Sequence, residues 1–421
     1  MRYDLPFDEP VVRLHFLPFS LLFLLWVLVF FIAGLYEQHT LLFQKRLPYR
    51  LLRSIAANAL IAVLLFYFFP AFLITPRANL FLYLIVSSLL LFFWRLYGFA
   101  LFGMREKENA LLIGSGTEFQ ELSAELSGNA HYGVRLVSSV SLPRQPETTA
   151  AIEETLNRAT AAERISLVIA DLRADALEAL VPRLYTLLFS GVKFADMYKV
   201  YEELFGRVPL SLLRYHWFLE NIPATKRRAY DFLKRAMDVA ISLPLFVFSL
   251  MWYPLVTIAI KLDDGGEAFI AQERVGEKGR LIRTYKFRSM LRNEENPTTR
   301  VTNTVTRVGA FLRRTRLDEL PQLWSVLRGE MSLIGPRPEL PSLVSLYERE
   351  VPYYNIRHLI KPGLSGWAQI YHENHPHHQA DVSETKVKLS YDLYYIKHRS
   401  LWLDFKIALK TVKILLSRSG V

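Results

Sequence analysis

Cysteine is absent from the 421 residues. That excludes a disulfide framework, a thiolate nucleophile, Cys-ligated zinc and iron–sulfur clusters. Charged residues are scarce, at 22%, against 51% hydrophobic and 13% aromatic. The chain is oily for a soluble protein yet too polar for a pure membrane channel, so a mixed membrane and water-exposed protein of roughly two to four domains is expected. Acidic residues are outnumbered: Lys+Arg 51 against Asp+Glu 40 gives a net charge of +11. Such a balance suits anionic lipid, nucleotide phosphates or nucleic acid. No basic stretch precedes the first apolar run, which follows Asp4, Asp8 and Glu9 and is too long for a signal core, so it reads as a retained segment.

What is present is first of all three runs without a charged residue, at 16–36, 54–76 and 78–94. Each is close to the ~20 apolar residues that a bilayer-spanning helix needs. Lys45, Arg46, Arg50 and Arg53 cluster between the first two runs, whereas Arg77 is the one charge between the second and third. The positive-inside rule then puts the first loop in the cytoplasm, the N-terminus outside, and everything after the third run in the cytoplasm.

The stretch KENALLIGSGTEFQELSAEL reads as a strand over 110–113, a Gly114-Ser115-Gly116 turn and a helix. RISLVIADL and KFADMY supply two further strands, so residues 107–222 suggest a small α/β domain with a mostly parallel sheet. The turn has no third glycine of the dinucleotide fingerprint. A plain strand-to-helix turn is therefore the simpler reading, with phosphate binding at the helix N-terminus as the alternative.

A fourth charge-free run, 239–260, contains Pro244 and Pro254 and has basic residues on both sides, Lys226 to Arg235 before it and Lys261 onward after it. Prolines bend a helix, and both flanks carry the inside signal, so a helix that enters and leaves by the same face fits better than a kinked span. Downstream, Asp318 and Glu319 stand side by side ahead of Pro321. Taken alone, the pair reads as a helix cap. Its alternative role is to bind a divalent cation or to face Arg313, Arg314 and Arg316, which would relieve the repulsion between adjacent carboxylates. Arg274, Lys278, Arg280, Lys286 and Arg288, with Arg337 in a GPRP turn, add candidate phosphate ligands. An acidic pair with phosphate ligands beside a membrane points to phosphoryl transfer involving a lipid.

The strings KRAMDVAIS, IAQERVG, YKFRSM, LDELPQLWSVLRGEMSLIGPRP, KPGLSGWAQI and YDLYYIKHRSLWLDF cover most of the last 200 residues. Through them the chain resembles the bacterial sugar transferases, the monotopic phosphoglycosyl transferases, and in its whole architecture their large polyprenyl-phosphate hexose-1-phosphate transferase members. The resemblance implies a membrane protein with transmembrane helices over 1–104, a Rossmann-like α/β domain over 105–224, and a mainly α catalytic domain over 225–421 with a re-entrant helix at 229–262. It implies transfer of a sugar-1-phosphate from a UDP-sugar to undecaprenyl phosphate at the cytoplasmic face of the bacterial inner membrane, with release of UMP. Asp318 would be the nucleophile, forming a phosphosugar-aspartyl intermediate, and Asp318 and Glu319 would hold Mg²⁺. Lys286, Arg313 and Arg337 would bind substrate phosphates, and Gln369 beside Trp367 would contact the nucleotide, although a packed Trp367 is an equal reading. Membrane lipid is an expected partner, nucleic acid is not, and a homo-oligomer is compatible with the reading. The alternative is a non-catalytic membrane scaffold or regulator of glycan assembly.

Three further features are legible. Three spans stand where the family often has four, and Ser325 and Glu330 stand where Asn and Asp are frequent. His372, His375, His377 and His378 cluster around Pro376 without helical spacing, which favours a variable loop over a metal site. In the last segment, Phe405, Leu409, Val412 and Leu416 share one helical face and Lys406, Lys410 and Lys413 another, as in a helix lying on anionic lipid, with packing on the catalytic domain as the alternative.

Overall fold

The computed structural model describes residues 9–33, 35, 47–68, 82–90, 92–94, 107–129, 132–142, 165–178, 180–222, 227–291, 305–371 and 381–417. The histidine cluster and residues 36–46, 69–81 and 143–164 lie outside them. The chain forms two compact units, one of residues Met1–Leu111, Ser123–Ser138 and Ala159–Leu167, the other of Leu112–Leu122, Ser139–Arg158 and Val168–Val421.

In the first unit, helices span Glu9–Ile32 and Leu47–Phe68, with apolar stretches at Phe16–Ile32, Leu51–Phe66 and Leu82–Trp94. Leu22, Trp26, Ala62, Leu65, Phe66 and Leu84 pack together from all three stretches. Outward they expose Phe16, Leu24, Leu60, Leu82 and Leu89. Among the described residues no single helix is long and apolar enough to cross a membrane.

Strands β1 (Glu108–Gly114), β2 (Val134–Ser141), β3 (Leu167–Ala170) and β4 (Lys193–Asp196) form one sheet in the order β2-β1-β3-β4. The three strands expected from apolar runs are β1, β3 and β4. The sequence reading passed over β2, whose residues are mostly half-exposed and which therefore carries a weak apolar signal. Gly116, at φ 89°, turns the chain from β1 into the helix Thr117–Gly128, a left-handed backbone that glycine adopts at least cost. Glu118 in the first turn of that helix is buried and accepts hydrogen bonds from Ser211 N at 3.0 Å and Thr117 Oγ1 at 2.9 Å. A carboxylate already occupies the helix N-terminus, so the plain-turn reading holds and phosphate binding there is disfavoured.

The C-terminal segment begins with two apolar helices, Arg228–Leu250 and Tyr253–Asp264, bent by 53° at Met251 and Trp252. Pro254 lies in the first turn of the second helix, where its missing N–H costs nothing. Pro244 stays inside the first helix, so the break falls at the 251–252 turn. The outward residues are Leu243, Leu245, Val247, Phe248 and Leu255, whereas Ser242 and Ser249 are buried. The first helix is thus polar on its buried side and apolar outward, whereas the second buries Val256 and Ile260.

Two strands, β5 (Phe269–Val275) and β6 (Leu281–Phe287), pair antiparallel with Ile270 opposite Lys286 and Arg274 opposite Ile282. A short parallel pair, β7 (Ser332–Ile334) and β8 (Gly363–Ser365), sits beyond them. The main core of this unit gathers Trp217, Tyr354, Trp367, Leu389, Leu393, Tyr395 and Ile407. In the terminal helix Leu401–Ser417, Lys406 and Lys410 lie against the Trp367 ring, at 5.3 and 6.0 Å from its centre, and Lys410 is buried. Lys406 and Lys410 therefore pack on the domain, the alternative that the sequence left open. Among its described residues Trp402, Phe405, Val412 and Leu415 are the exposed ones.

Candidate active site

Arg307–Thr315 is a helix that ends at Arg316, whose left-handed backbone (φ 58°) lets its N–H bond back to the carbonyls of Leu312 and Arg313. This reversal launches a 3₁₀ helix, Leu317–Gln322, that runs into the helix Leu323–Arg328. Asp318 and Glu319 occupy the first 3₁₀ turn, and no side chain caps that helix. The capping reading of the acidic pair therefore fails. Tight 3₁₀ geometry separates the two side chains and gives them different surroundings.

Glu319 Oε1 accepts a hydrogen bond from Arg337 NH2 at 2.8 Å and another from Lys286 Nζ at 3.2 Å. Burial opposes its ionisation, but Arg337 and Lys286 outweigh that and hold it well below the ordinary carboxylate range. Asp318 is 8% exposed, and its Oδ1 is buried with no hydrogen-bond partner. Burial first, and then the Glu319 charge, push Asp318 up to about 6, while Lys286, Arg316 and Arg313 pull the other way. One acid is clamped by cations and the other is left with a free oxygen. Such a pair of unlike carboxylates is the usual mark of divided chemical roles.

A buried second layer holds Arg337 in place. Gly335 N donates to Ser365 O and Gly363 N to Pro336 O, both at 2.9 Å. A Cβ on Gly363 would stand 2.1 Å from Gly335 N, so only glycine permits this approach. Arg357, 3% exposed, donates from NH2 to the Arg337 carbonyl at 2.9 Å and from NH1 to Tyr354 OH at 2.5 Å. Arg357 also pairs with Asp392 at 2.9 Å, and Glu339 pairs with Lys388. Burial opposes ionisation of Glu339, but Lys388 and Arg357 hold it at about 2.

With this geometry in hand, residues 229–418 match the family described as bacterial sugar transferase. That segment belongs to the bacterial sugar transferase family. Over 267 residues, 62% of this chain and 61% of the relative, the sequence is 39% identical to a UDP-N-acetylgalactosamine-undecaprenyl-phosphate N-acetylgalactosaminephosphotransferase of Aeromonas hydrophila. It is 33% identical over 322 residues, 72% of this chain and 58% of the relative, to an undecaprenyl-phosphate glucose phosphotransferase of Komagataeibacter xylinus. A UDP-glucose:undecaprenyl-phosphate glucose-1-phosphate transferase of Escherichia coli K12 is 40% identical over 185 residues, 43% of this chain and 39% of the relative. The chain thus spans 61% and 58% of the length of the first two relatives.

Within the bacterial sugar transferase segment, three of the four residues expected around the Asp318–Glu319 dyad lie against it by contact or by charge. Lys286 and Arg337 bond Glu319, and Arg313 acts on Asp318 through its charge. Gln369 is not joined to the cluster by any hydrogen bond among the described residues. Its Oε1 is buried and unpartnered beside Gly366, in a short helix with Trp367, whose indole N–H donates to Gly206 O at 2.7 Å. Trp367 is 4% exposed and packs in the core, so the packed reading of this residue holds. The sequence reading missed Glu339, Arg357, Lys388 and Asp392, because they are distant in sequence and meet only in the fold; Glu339, directly after GPRP, carried the one local hint. A larger cavity of about 370 Å³ lies in the same unit, lined by Glu118, Glu121, Tyr201, Arg207 and Tyr353 among others, and does not include the dyad.

Proposed function

We propose that the protein is a phosphoglycosyl transferase that moves a sugar-1-phosphate from a UDP-sugar to a polyprenyl phosphate, undecaprenyl phosphate in particular, releasing UMP and starting a surface glycan. The observation that carries this reading is the buried, partnerless oxygen of Asp318 beside a carboxylate clamped by two cations. An unmade buried hydrogen bond costs about 1–3 kcal/mol. A scaffold has no reason to keep that cost, so the non-catalytic alternative is disfavoured.

In the first step the Asp318 oxygen attacks the sugar-linked phosphorus. A P–O(Asp) bond forms as the phosphoanhydride bond breaks, and UMP carries away the bonding pair. In the second step a phosphate oxygen of the polyprenyl acceptor attacks the same phosphorus, and the P–O(Asp) bond breaks to restore the carboxylate. Two steps let a soluble donor and a lipid acceptor use one site in turn. Lys286, Arg337 and Arg313 supply fixed positive charge where phosphate charge accumulates. Mg²⁺ is bound in biology through one or two carboxylates and substrate phosphates, and the free Asp318 Oδ1 fits that donor set. Glu319, with Oε1 committed to two cations, can lend only its other oxygen. When bound, the ion neutralises the diphosphate.

Membrane attachment is part of the same reading. Tyr230 and Lys234, at the base of the first bent helix, both donate to Asp404, at 2.8 and 3.1 Å, and Arg235 NH1 and NH2 donate to Val326 O and Leu327 O, each at 2.6 Å. At the far end of the second helix, Asp264 pairs with Arg288, and Asp263 accepts from Val308 N at 3.0 Å. Both ends are docked on the same catalytic body. A crossing span would part its ends by ~30 Å, so this favours a re-entrant pair dipping into one leaflet with its apolar side chains in lipid. The three apolar stretches of the first unit would be transmembrane, with the catalytic segment in the cytoplasm of a bacterial inner membrane.

Detergent-solubilised protein given Mg²⁺, undecaprenyl phosphate and a panel of UDP-sugars is expected to release UMP with at least one donor. No release with any hexose donor would reject the reading.

A further inference from the structure

The cavity of about 370 Å³ that leaves out the dyad takes its walls from two parts of its unit. Thr117, Glu118 and Glu121 come from the helix that follows β1, and Tyr201 from the helix that follows β4, with Arg207 just beyond it. Val351, Pro352 and Tyr353 come from the bacterial sugar transferase segment, as do Lys386, Val387 and Ser390 of the helix Val382–His398. β1 and β3 run parallel, with Ser166 N bonded to Asn109 O and Asp171 N to Ile113 O. The helix Thr117–Gly128 leaves the carboxyl end of β1, the side of a parallel sheet on which ligands bind. The volume lies in the range of small-molecule sites and equals about a dozen liquid waters at ~30 Å³ each.

Its polar groups are only partly committed. Glu118, at the helix N-terminus, is met by Ser211 and Thr117 and is satisfied within the protein. Glu121 uses only Oε2, which accepts from Tyr201 OH and Arg207 NH2, each at 2.6 Å; no donor among the described residues meets its Oε1. Arg207 Nε is buried without a hydrogen-bond partner. Lys386 is exposed and has no acidic partner among the described residues. Unmet donors on Arg207 and Lys386 suit an anion, and the unmet carboxylate oxygen suits a hydroxyl donor. Between these groups Val208, Val351, Pro352 and the Tyr353 ring offer apolar surface. A sugar ring presents hydroxyls at its edge and C–H groups on its faces, and a phosphate ester adds the charge.

We infer that this cavity binds a soluble sugar phosphate, with the phosphate at Lys386 and Arg207 and the ring hydroxyls at Glu121, and that the bound ligand modulates transfer at the dyad. Binding rests on the geometry alone, whereas the effect on transfer rests on the phosphoglycosyl transferase reading. The helix Val382–His398 links the two places. Lys386, Val387 and Ser390 line the cavity, and Ser390 O accepts from Val208 N at 3.1 Å. Two other residues of the same helix reach the layer that supports the active site. Lys388 pairs with Glu339, and Asp392 pairs with Arg357, which donates to the Arg337 carbonyl. A ligand held by Lys386 and Arg207 favours one position of this helix over others, and that preference is the coupling free energy between the sites. A shift of the helix changes where Arg337 meets Glu319.

The test uses the full chain in nanodiscs. Dissociation constants are measured for the 1-phosphates of glucose, galactose and N-acetylglucosamine, with inorganic phosphate, glucose and UMP as controls, in wild type, Lys386→Glu, Glu121→Gln and Arg337→Gln. A thermal melt checks the folding of each variant, and Lys386→Gln serves if Lys386→Glu is unstable. At least one hexose 1-phosphate is expected to bind the wild type more tightly than phosphate or glucose alone. Its binding should weaken roughly tenfold in Lys386→Glu and in Glu121→Gln, and by less than about threefold in Arg337→Gln. No binding to the wild type, or unchanged constants in both folded cavity variants, overturns the inference. Loss in Arg337→Gln alone also overturns it, since the ligand then sits at the dyad. Lys386-dependent binding of UMP in place of the sugar phosphates overturns the ligand class. In UMP-release assays the sugar phosphate should alter kcat at saturating UDP-sugar, and inhibition that UDP-sugar fully overcomes would overturn the link to transfer. If no UDP-sugar is turned over while Lys386-dependent binding persists, the site stands and the proposed reaction falls.

Discussion

Asp318 is ionised only reluctantly, and this has consequences that can be measured on one side chain. Its acidity is pushed up to about 6 by burial and by Glu319. A carboxyl group shifted upward favours the protonated folded state, so its contribution to stability is complete below its ordinary value near 4 and is lost as pH rises through 6. Asp318→Asn mimics the protonated form at every pH. It is therefore expected to be more stable than wild type by about 2–3 kcal/mol at pH 8 and equal to it at pH 4, read from denaturant unfolding at both pH values. The attacking form is the carboxylate, so kcat/KM of the wild type should rise through pH 6, and a flat profile across pH 5–7 would deny Asp318 its role. The neighbouring acids and the LDELPQ and GPRP strings were visible in the sequence. Their unlike environments were not, because burial and the cation clamp come from Lys286 on β6 and Arg337 after β7, elements that meet only in three dimensions.

Among the elements, the GPRP loop depends on close backbone contact rather than on side chains. The 2.1 Å approach that a Cβ on Gly363 would make to Gly335 N leaves no room for a methyl group. Gly363→Ala is expected to cost about 3 kcal/mol and to displace Arg337, cutting kcat at least tenfold; near-normal melting and turnover would show that the β7–β8 junction tolerates spreading. The bent helix pair shows how far pattern reading reaches. Its apolar run and basic flanks suggest an element that enters one leaflet, and its prolines suggest a bend, of which the structure contains the bend. They did not locate it, since Pro254 sits harmlessly in a first helical turn and Pro244 is accommodated, so the chain reverses at Met251 and Trp252 instead. For the terminal helix the spacing left two readings open, lipid contact and packing on the domain. Lys406 and Lys410 stack on Trp367, which favours packing for those two lysines, and the position of Trp367 in the core is something no periodicity reveals.

For the molecule as a whole, the docked ends of the bent pair predict a single-sided membrane arrangement. The natural absence of cysteine makes Lys261→Cys a clean reporter: in intact cells it should resist a membrane-impermeant maleimide and react once the membrane is opened, whereas external labelling would place the pair across the bilayer. The central claim is more direct still, that Asp318 becomes covalently attached to the donor's phosphosugar. Intact-mass spectrometry of the full chain, mixed with Mg²⁺ and its UDP-sugar but no lipid acceptor, tests it. The account predicts a phosphohexose-sized mass increase with release of UMP, removed by adding undecaprenyl phosphate and absent in Asp318→Asn. Normal lipid-linked product from Asp318→Asn, or steady turnover of the wild type with no adduct on Asp318, would contradict it.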